Sequence, residues 1–294
     1  MGRTAKPVKY VVVDAFTDTE FKGNPAAVCL LEEERDEEWL QSLAAEFNIS
    51  ETCYLTRVSD FESLVPRFHL RWFTPVAEVE LCGHATLAAA HFCFSCDLVT
   101  GDAVEFSTLS GILTAKKVLQ PKEQTGKQSF LIELDFPAIS TTDCPVDDTL
   151  SISKLVTSNS LVDSLVDIKK TAIDDYFVVL PSADAVTAYQ PKLEEIKQLP
   201  GRGLIISAAA PPGSEFDFIS RFFCPKFGIN EDPVCGSAHC ALAVYWSKKL
   251  GKCDFVAYAA SPRSGIVRLH LDEQNDRVKL QGKAVIVMEG SVVV

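Results

Sequence analysis

The chain has 294 residues, 47% of them hydrophobic and 23% charged, enough for one large or two modest globular domains. Asp and Glu number 40 against 28 Lys and Arg, a formal charge of -12, and no basic run exceeds the pairs Lys116–Lys117 and Lys248–Lys249. Binding a phosphate backbone needs clustered cations, so a nucleic-acid partner is excluded.

No stretch approaches the ~18 uninterrupted apolar residues of a membrane helix, and the opening MGRTAKPVKY lacks the apolar segment of a secretory signal. Lys6 occupies the place where an acylated Gly2 would want Ser or Thr. The 10 cysteines are scattered rather than clustered, which predicts reduced thiols in a cytoplasmic protein. In that setting the sequon Asn48-Ile49-Ser50 stays idle.

In chain order, alternation predicts strands over 9–13, 51–55, 130–136, 176–180, 204–207, 267–271 and 284–288. An amphipathic helix is predicted from about residue 35 to 47, with Leu40, Leu43, Ala44 and Phe47 on one face and an acidic lead-in at its positive end. The segments 120–127 and 140–160 read as loops or a flexible connection, and 291–294 as a last strand completing the first half. Two further helices, over 84–96 and from Ser237 to a stop at Lys248, Lys249 and Gly251, are apolar on nearly every side. A helix of that kind is buried all round.

Both follow a repeated pattern. Arg71-Trp72-Phe73-Thr74-Pro75 is echoed by Arg221-Phe222-Phe223-Cys224-Pro225 at an offset of 150. Leu81-Cys82-Gly83-His84-Ala85 is echoed by Val234-Cys235-Gly236-Ser237-Ala238 at an offset of 153. Three extra residues therefore fall in the intervening loop, where insertions are tolerated. The reading is a duplicated α+β unit, each copy a curved sheet wrapped round one central helix. The expected division is 1–136 with a C-terminal strand 282–294, and 137–281.

Each central helix begins after a Cys-Gly pair, where unpaired N–H groups and a partial positive charge suit a small carboxylate. A pseudo-twofold axis would let both starts face one interdomain cleft. Gly83 and Gly236 allow close approach, or merely relieve packing between helix and sheet. In Glu51-Thr52-Cys53-Tyr54-Leu55 a strand period places Glu51 with Cys53 and Leu55 on one apolar face. There its pKa would rise and it could exchange protons; the alternative is a strand-end carboxylate reaching solvent. Asp232 caps a turn or accepts a proton. His84 at a helix start is expected neutral, and His91 and His239 read as core residues.

Cys82 and Cys235 at helix starts would have lowered pKa values and could act as a two-base pair, against the plainer reading of buried thiols as small hydrophobes. The CxxC of Cys93 and Cys96 falls at a helix C-terminus with no second pair. Nucleotide-binding and metalloprotease fingerprints are absent, so no cofactor and no metal are expected.

The motifs Val13-Asp14-Ala15-Phe16-Thr17, Phe21-Lys22-Gly23-Asn24-Pro25, Ile49-Ser50-Glu51-Thr52, Arg71-Trp72-Phe73-Thr74-Pro75, Leu81-Cys82-Gly83-His84 and Asn230-Glu231-Asp232-Pro233-Val234-Cys235-Gly236-Ser237 resemble the PhzF family, more narrowly its animal phenazine biosynthesis-like members. The resemblance implies a diaminopimelate epimerase-like fold: two pseudo-symmetric β-barrel-like halves, each around a central helix. It also implies a homodimer and cofactor-independent isomerase chemistry on a small carboxylate. In the phenazine enzyme that substrate is a cyclic dihydro-hydroxyanthranilate. The glutamate matching Glu51 is then general base and acid, assisted by Asp232. Asn24, Gly83, His84, Gly236 and Ser237 hold the substrate. Family members more often carry threonine at Cys235, whereas related epimerases use cysteine there and at Cys82. A two-cysteine racemase or epimerase is thus one alternative, and a non-catalytic binding or regulatory protein with a vestigial pocket is another.

Overall fold

The structure, a computed structural model, describes residues 7–58, 65–121, 129–157 and 165–293. The chain opens with β1 (Val8–Ala15), β2 (Asn24–Leu31), α1 (Glu37–Phe47), β3 (Glu51–Arg57), β4 (Arg67–Phe73) and the short β5 (Glu78–Val79). Then come α2 (Gly83–Ser95), β6 (Ala103–Thr108), β7 (Gly111–Leu119), β8 (Phe130–Pro137) and β9 (Thr141–Asp143). The next elements are α3 (Val146–Thr157), β10 (Asp167–Thr171), β11 (Asp175–Val179), α4 (Ala183–Ala188), α5 (Leu193–Gln198) and β12 (Gly203–Ala209). The chain ends with β13 (Phe218–Cys224), β14 (Ile229–Asp232), α6 (Gly236–Leu250), β15 (Asp254–Ala259), β16 (Gly265–Asp272), β17 (Arg277–Gly282) and β18 (Ala284–Val292). It divides into two compact units, Met1–Asp135 with Gln281–Val294, and Phe136–Leu280.

The two units share one pattern of strand pairing. In the first, β1 and β2 are antiparallel, β2 and β3 parallel, β3 and β4 antiparallel, β4 and β6 parallel, β6 and β7 antiparallel. In the second, the same five relations run through β10, β11, β12, β13, β15 and β16. Parallel neighbours need a crossover, and α1 and α2 supply it in the first unit. The last strand, β18, returns to pair with β1, and β9 pairs with β10 in the corresponding place.

Sequence explains the two kinds of helix. α1 starts at Asp36, whose side chain accepts from the Trp39 N–H, and ends on Asn48 in the left-handed conformation. It buries only Leu40, Leu43 and Ala44, a one-sided stripe. α2, with Ala85, Leu87, Ala88, Ala89 and Ala90 fully buried, packs against β1, β2, β3, β7 and β18. Alanine lets strands approach on every side, so a helix with no polar face becomes the axis of its unit. α6 is its counterpart, ending on Gly251 as the sequence indicated.

Segment 140–160 is not the loop that its Ser and Thr content suggested. It forms β9 and α3, and Ile152, Leu155 and Val156 of α3 are buried. The hydroxyls of Thr149, Ser151 and Thr157 bond back to the carbonyls of Pro145, Asp147 and Ser153, at 2.9, 3.2 and 2.8 Å, so residues that normally favour loops are satisfied inside the helix. Residues 158–160, and most of 120–127, lie outside the described residues.

The repeated motifs are held by a repeated ion pair. Arg71 on β4 grips Glu78 on β5 through Nε and Nη2, both at 2.7 Å. Arg221 on β13 grips Glu231 on β14 at 2.7 and 2.9 Å. Each guanidinium also lies over the aromatic ring two residues on, 5.1 Å from Phe73 and 5.0 Å from Phe223. The extra residues of the second copy fall between arginine and glutamate, in the turn at Pro225–Phe227. Arg221 additionally donates Nη1 to the carbonyls of Val186, Thr187 and Tyr189 at the end of α4.

The side chains of Arg221 and Glu231 are 8% and 16% exposed, against 34% and 17% for Arg71 and Glu78. Glu231→Ala strands a buried cation and is expected to cost roughly 3–5 kcal/mol. Glu78→Ala, more screened by solvent, should cost about 1 kcal/mol or less. Urea unfolding midpoints check this; equal losses at the two positions would contradict it.

Candidate active site

In the first unit the residues singled out by sequence gather at one end of the sheet. β2 and β3 run parallel with Ala26 beside Glu51, so Asn24 and Glu51 lie at the same ends of neighbouring strands. Cys53 donates its thiol to the Ala85 carbonyl at 3.3 Å, which faces the Glu51–Cys53–Leu55 side of β3 towards the first turn of α2. Glu51 is 5% exposed, so the alternative of a carboxylate reaching solvent does not hold. Asn24 is fully buried behind a tight loop. Asp14, near the end of β1, accepts from the Phe21 N–H of that loop at 2.7 Å, and a Cβ on Gly23, at φ +62°, would stand 2.1 Å from the Ala15 carbonyl oxygen.

α2 begins at Cys82 with no side-chain cap. Its first-turn N–H groups are therefore left to other acceptors, unlike those of α1. Thr86 instead returns its hydroxyl to the Cys82 carbonyl at 2.6 Å. His84 is buried, its Nδ1 lies 3.3 Å from the Cys82 sulfur, and Nε2 has no hydrogen-bond partner among the described residues. Burial pushes its pKa down to about 3, against a smaller opposing effect of the Pro25 carbonyl, so the ring is neutral. The sequence ascribed that neutrality to the helix start; desolvation is the larger cause.

In the second unit Asp232, Cys235, Gly236 and Ser237 surround the start of α6. Asp232 accepts from the Val234 N–H at 3.0 Å, closing a turn. Its carboxyl is pushed up to about 6 by desolvation, which outweighs the Val234 and Cys235 hydrogen bonds and the Arg202 charge that favour ionisation. Cys235 caps nothing, and its sulfur lies 3.3 Å from the Ser237 hydroxyl. A small pocket in this unit is lined by Asp232, Pro233, Cys235, Phe222, Ser220 and His239, among others.

One expectation is reversed here. The start of a helix should lower the pKa of Cys235, but burial raises it from 9.0 to about 12, with the Asp232 charge adding to the effect. That rise corresponds to roughly 4 kcal/mol, whereas a helix dipole contributes typically about 0.3–1 kcal/mol. Desolvation wins, and the thiol stays protonated. Cys82 is only partly buried. His239 is buried with Nδ1 2.7 Å from the Cys235 carbonyl, a core role, whereas His91 is only half-buried, stacked on Phe130 with ring centroids 5.3 Å apart and Nε2 3.2 Å from the Ser95 hydroxyl. Cys93 is buried and Cys96 exposed, and neither is in a disulfide. Among the described residues no three His, Cys, Asp or Glu side chains gather as metal ligands, and no helix is long and apolar enough to cross a membrane.

The profile of the family described as PhzC-PhzF, phenazine biosynthesis-like protein, matches residues 13–290. The chain belongs to that family. An uncharacterized isomerase of Halalkalibacterium halodurans is 41% identical over 96% of this chain and 97% of its own length. Phenazine biosynthesis-like domain-containing protein 1 of Mus musculus is 39% identical over 96% and 97%. A crystal structure of a PhzF-family phenazine biosynthesis protein from Enterococcus faecalis superposes with a TM-score of 0.84 at 35% identity, covering 98% of this chain and all of that one. A hydroxyproline epimerase from Agrobacterium vitis, 11% identical, covers all of this chain and 94% of its own with a TM-score of 0.61, a likeness of fold. The fold is the diaminopimelate epimerase-like α+β fold that the sequence pointed to.

Sequence reasoning missed Arg202, which donates to Ser237 at the α6 start, and Asp175, which pairs with Arg202. They are 27 residues apart, and no motif spacing links them.

Two titrations follow. The His84 ring is expected to show no titration between pH 5 and 8 by NMR; a midpoint near the ordinary 6.5 would contradict its burial. An acid whose pKa rises on folding binds its proton more tightly folded than unfolded, so Asp232 weakens the fold progressively as pH climbs from 3.8 to about 6. Asp232→Asn should gain stability relative to the parent across that interval in urea unfolding, and an unchanged difference between the two proteins would contradict the shift.

Proposed function

We propose that the protein is a cofactor-independent isomerase that moves a proton between carbons of a small carboxylate, with Glu51 as the group that carries it. The observation that carries this reading is a buried glutamate at the mouth of β3, on the side turned towards the uncapped start of α2, whose first turn holds a neutral histidine. The isomerase named among the relatives and the family membership support the reaction class.

The Glu51 carboxylate takes a proton from one carbon of the substrate, and the electron pair left behind spreads into the adjoining unsaturated system. The resulting carboxylic acid returns the proton to a second carbon, so bonds and charges balance without a further reactant. His84, neutral, donates or accepts a hydrogen bond without adding charge. Asp232 polarises the substrate, and Asn24, Gly83, Gly236 and Ser237 hold it. The backbone N–H groups at an uncapped helix start favour a carboxylate, and α2 and α6 each begin without a side-chain cap. The protein acts in the cytoplasm as a homodimer under this reading.

The two-cysteine alternative asks for a thiolate at Cys235, and burial works against one. Against a dihydro-hydroxyanthranilate probe in deuterated water, Glu51→Gln is expected to lower proton exchange roughly 10²–10⁴-fold while binding persists. Exchange at the parent rate in Glu51→Gln, abolished instead in Cys82→Ser or Cys235→Ser, would overturn the assignment. A parent protein that exchanges no proton of the probe or of any small carboxylate supports the non-catalytic alternative.

A further inference from the structure

The second unit holds a cation that the reading above does not use. Arg202 precedes β12 and points its Nε and Nη2 at the two carboxylate oxygens of Asp175, at 2.9 and 2.7 Å. Asp175 is fully buried at the start of β11. Burial disfavours the charge on Arg202, but the Asp175 carboxylate outweighs it and the guanidinium is firmly protonated. Nη2 also donates to the Ser237 hydroxyl at 2.9 Å, in the first turn of α6.

Two consequences follow from donor chemistry. A guanidinium only donates, so the Ser237 oxygen is the acceptor and its own hydrogen is free to point elsewhere, at the Cys235 sulfur 3.3 Å away or at a ligand. The remaining nitrogen, Nη1, makes no hydrogen bond among the described residues, and the side chain is 33% exposed. A rigid, charged fork thus presents one unused edge beside a hydroxyl fixed as a donor.

The surroundings hold Arg202 still. Its N–H donates to the Asp174 carbonyl at 2.7 Å, and its guanidinium lies 5.6 Å from the Phe222 ring centroid. Lys226, in the turn that only the second copy possesses, donates to the carbonyls of Leu199 and, at 2.6 Å, Gly201 just before it. Strand register shows what this replaces. Arg71 sits opposite Tyr54 and Arg221 opposite Ile206, which puts Gly203 where the first unit has Glu51. A Cβ on Gly203 would stand 2.7 Å from the Phe222 ring, so no acid fits there.

We propose that Arg202 is the specificity residue for an anionic substrate: locked by Asp175, it orients the Ser237 hydroxyl as a donor and offers Nη1 to the substrate's carboxylate. The inference rests on the reading of that substrate as a small carboxylate. It is separate from the role of Glu51, since it concerns recognition rather than proton movement.

The test compares binding of 3-hydroxyanthranilate and its carboxamide, by calorimetry on the full chain. The parent should prefer the carboxylate, and Arg202→Gln should weaken the carboxylate roughly 10- to 100-fold, the range of a charge-assisted hydrogen bond, while leaving the carboxamide unchanged. Arg202→Lys should recover part of the preference, keeping the charge but losing the fork. Should Arg202→Gln fail to fold around the buried Asp175, Ser237→Ala, which strands no charge, must itself reduce the carboxylate preference. Glu51→Gln should keep the preference in full, so loss of proton exchange there does not bear on Arg202. A parent with no preference for the carboxylate, absence of binding included, overturns the proposal, as does an unaltered preference in the Arg202 and Ser237 variants.

Discussion

Each unit depends on a bidentate arginine–glutamate pair that ties a long strand to the short strand leading into the central helix. Arg71–Glu78 and Arg221–Glu231 fix where the chain turns after the Arg-aromatic-Phe motif, and so fix where Cys82–Gly83 and Cys235–Gly236 begin their helices. Apolar packing of α2 and α6, buried on nearly every side, does not by itself mark where each begins, and the hydrogen bonds that α6 makes through Tyr245 and Trp246, to Asp167 and Ser207, lie far from its start. A paired, partly buried charge cannot slide. Two oxygens against two nitrogens define a single register, and the ring of Phe73 or Phe223 beneath the guanidinium removes the remaining freedom. The three additional residues of the second copy lie inside the clamped loop, so an insertion that could have displaced the helix start was absorbed before reaching it.

On that common frame the two units have become chemically unlike. The position of Glu51 in the first is Gly203 in the second, with the cation Arg202 next to it. Glu78 and Glu231 are equivalent, so Val79 corresponds to Asp232, and here it is the second unit that carries the acid. Each helix start therefore keeps its N–H groups and glycine while the neighbouring side chains differ: a buried glutamate and neutral histidine in one, a raised aspartate, a serine and an arginine in the other.

Much of this was legible in the chain because duplication makes a sequence its own comparison. The repeated motifs located both central helices, and period-two alternation put Glu51 on the buried face. What escaped has physical causes. The arginine–glutamate clamp was hidden by the insertion, which gives its two copies different spacings. Arg202 and Asp175 are brought together by the parallel pairing of β11 and β12, a relation that strand patterning does not encode. α3 was disguised by hydroxyl side chains that bond to their own helix. The Cys235 thiol was misjudged because a local effect, the helix dipole, was visible in sequence while the larger one, burial, belongs to the folded chain.

The central claim is that a single buried carboxylate both removes the substrate's proton and returns it. The most direct measurement follows the label rather than the rate: a dihydro-hydroxyanthranilate deuterated at the carbon that loses its hydrogen, converted in ordinary water. A single carrier, shielded from solvent as Glu51 is, predicts product that retains part of the original deuterium at the new carbon. Product bearing only solvent hydrogen, formed as readily by Glu51→Gln as by the parent, would contradict the account.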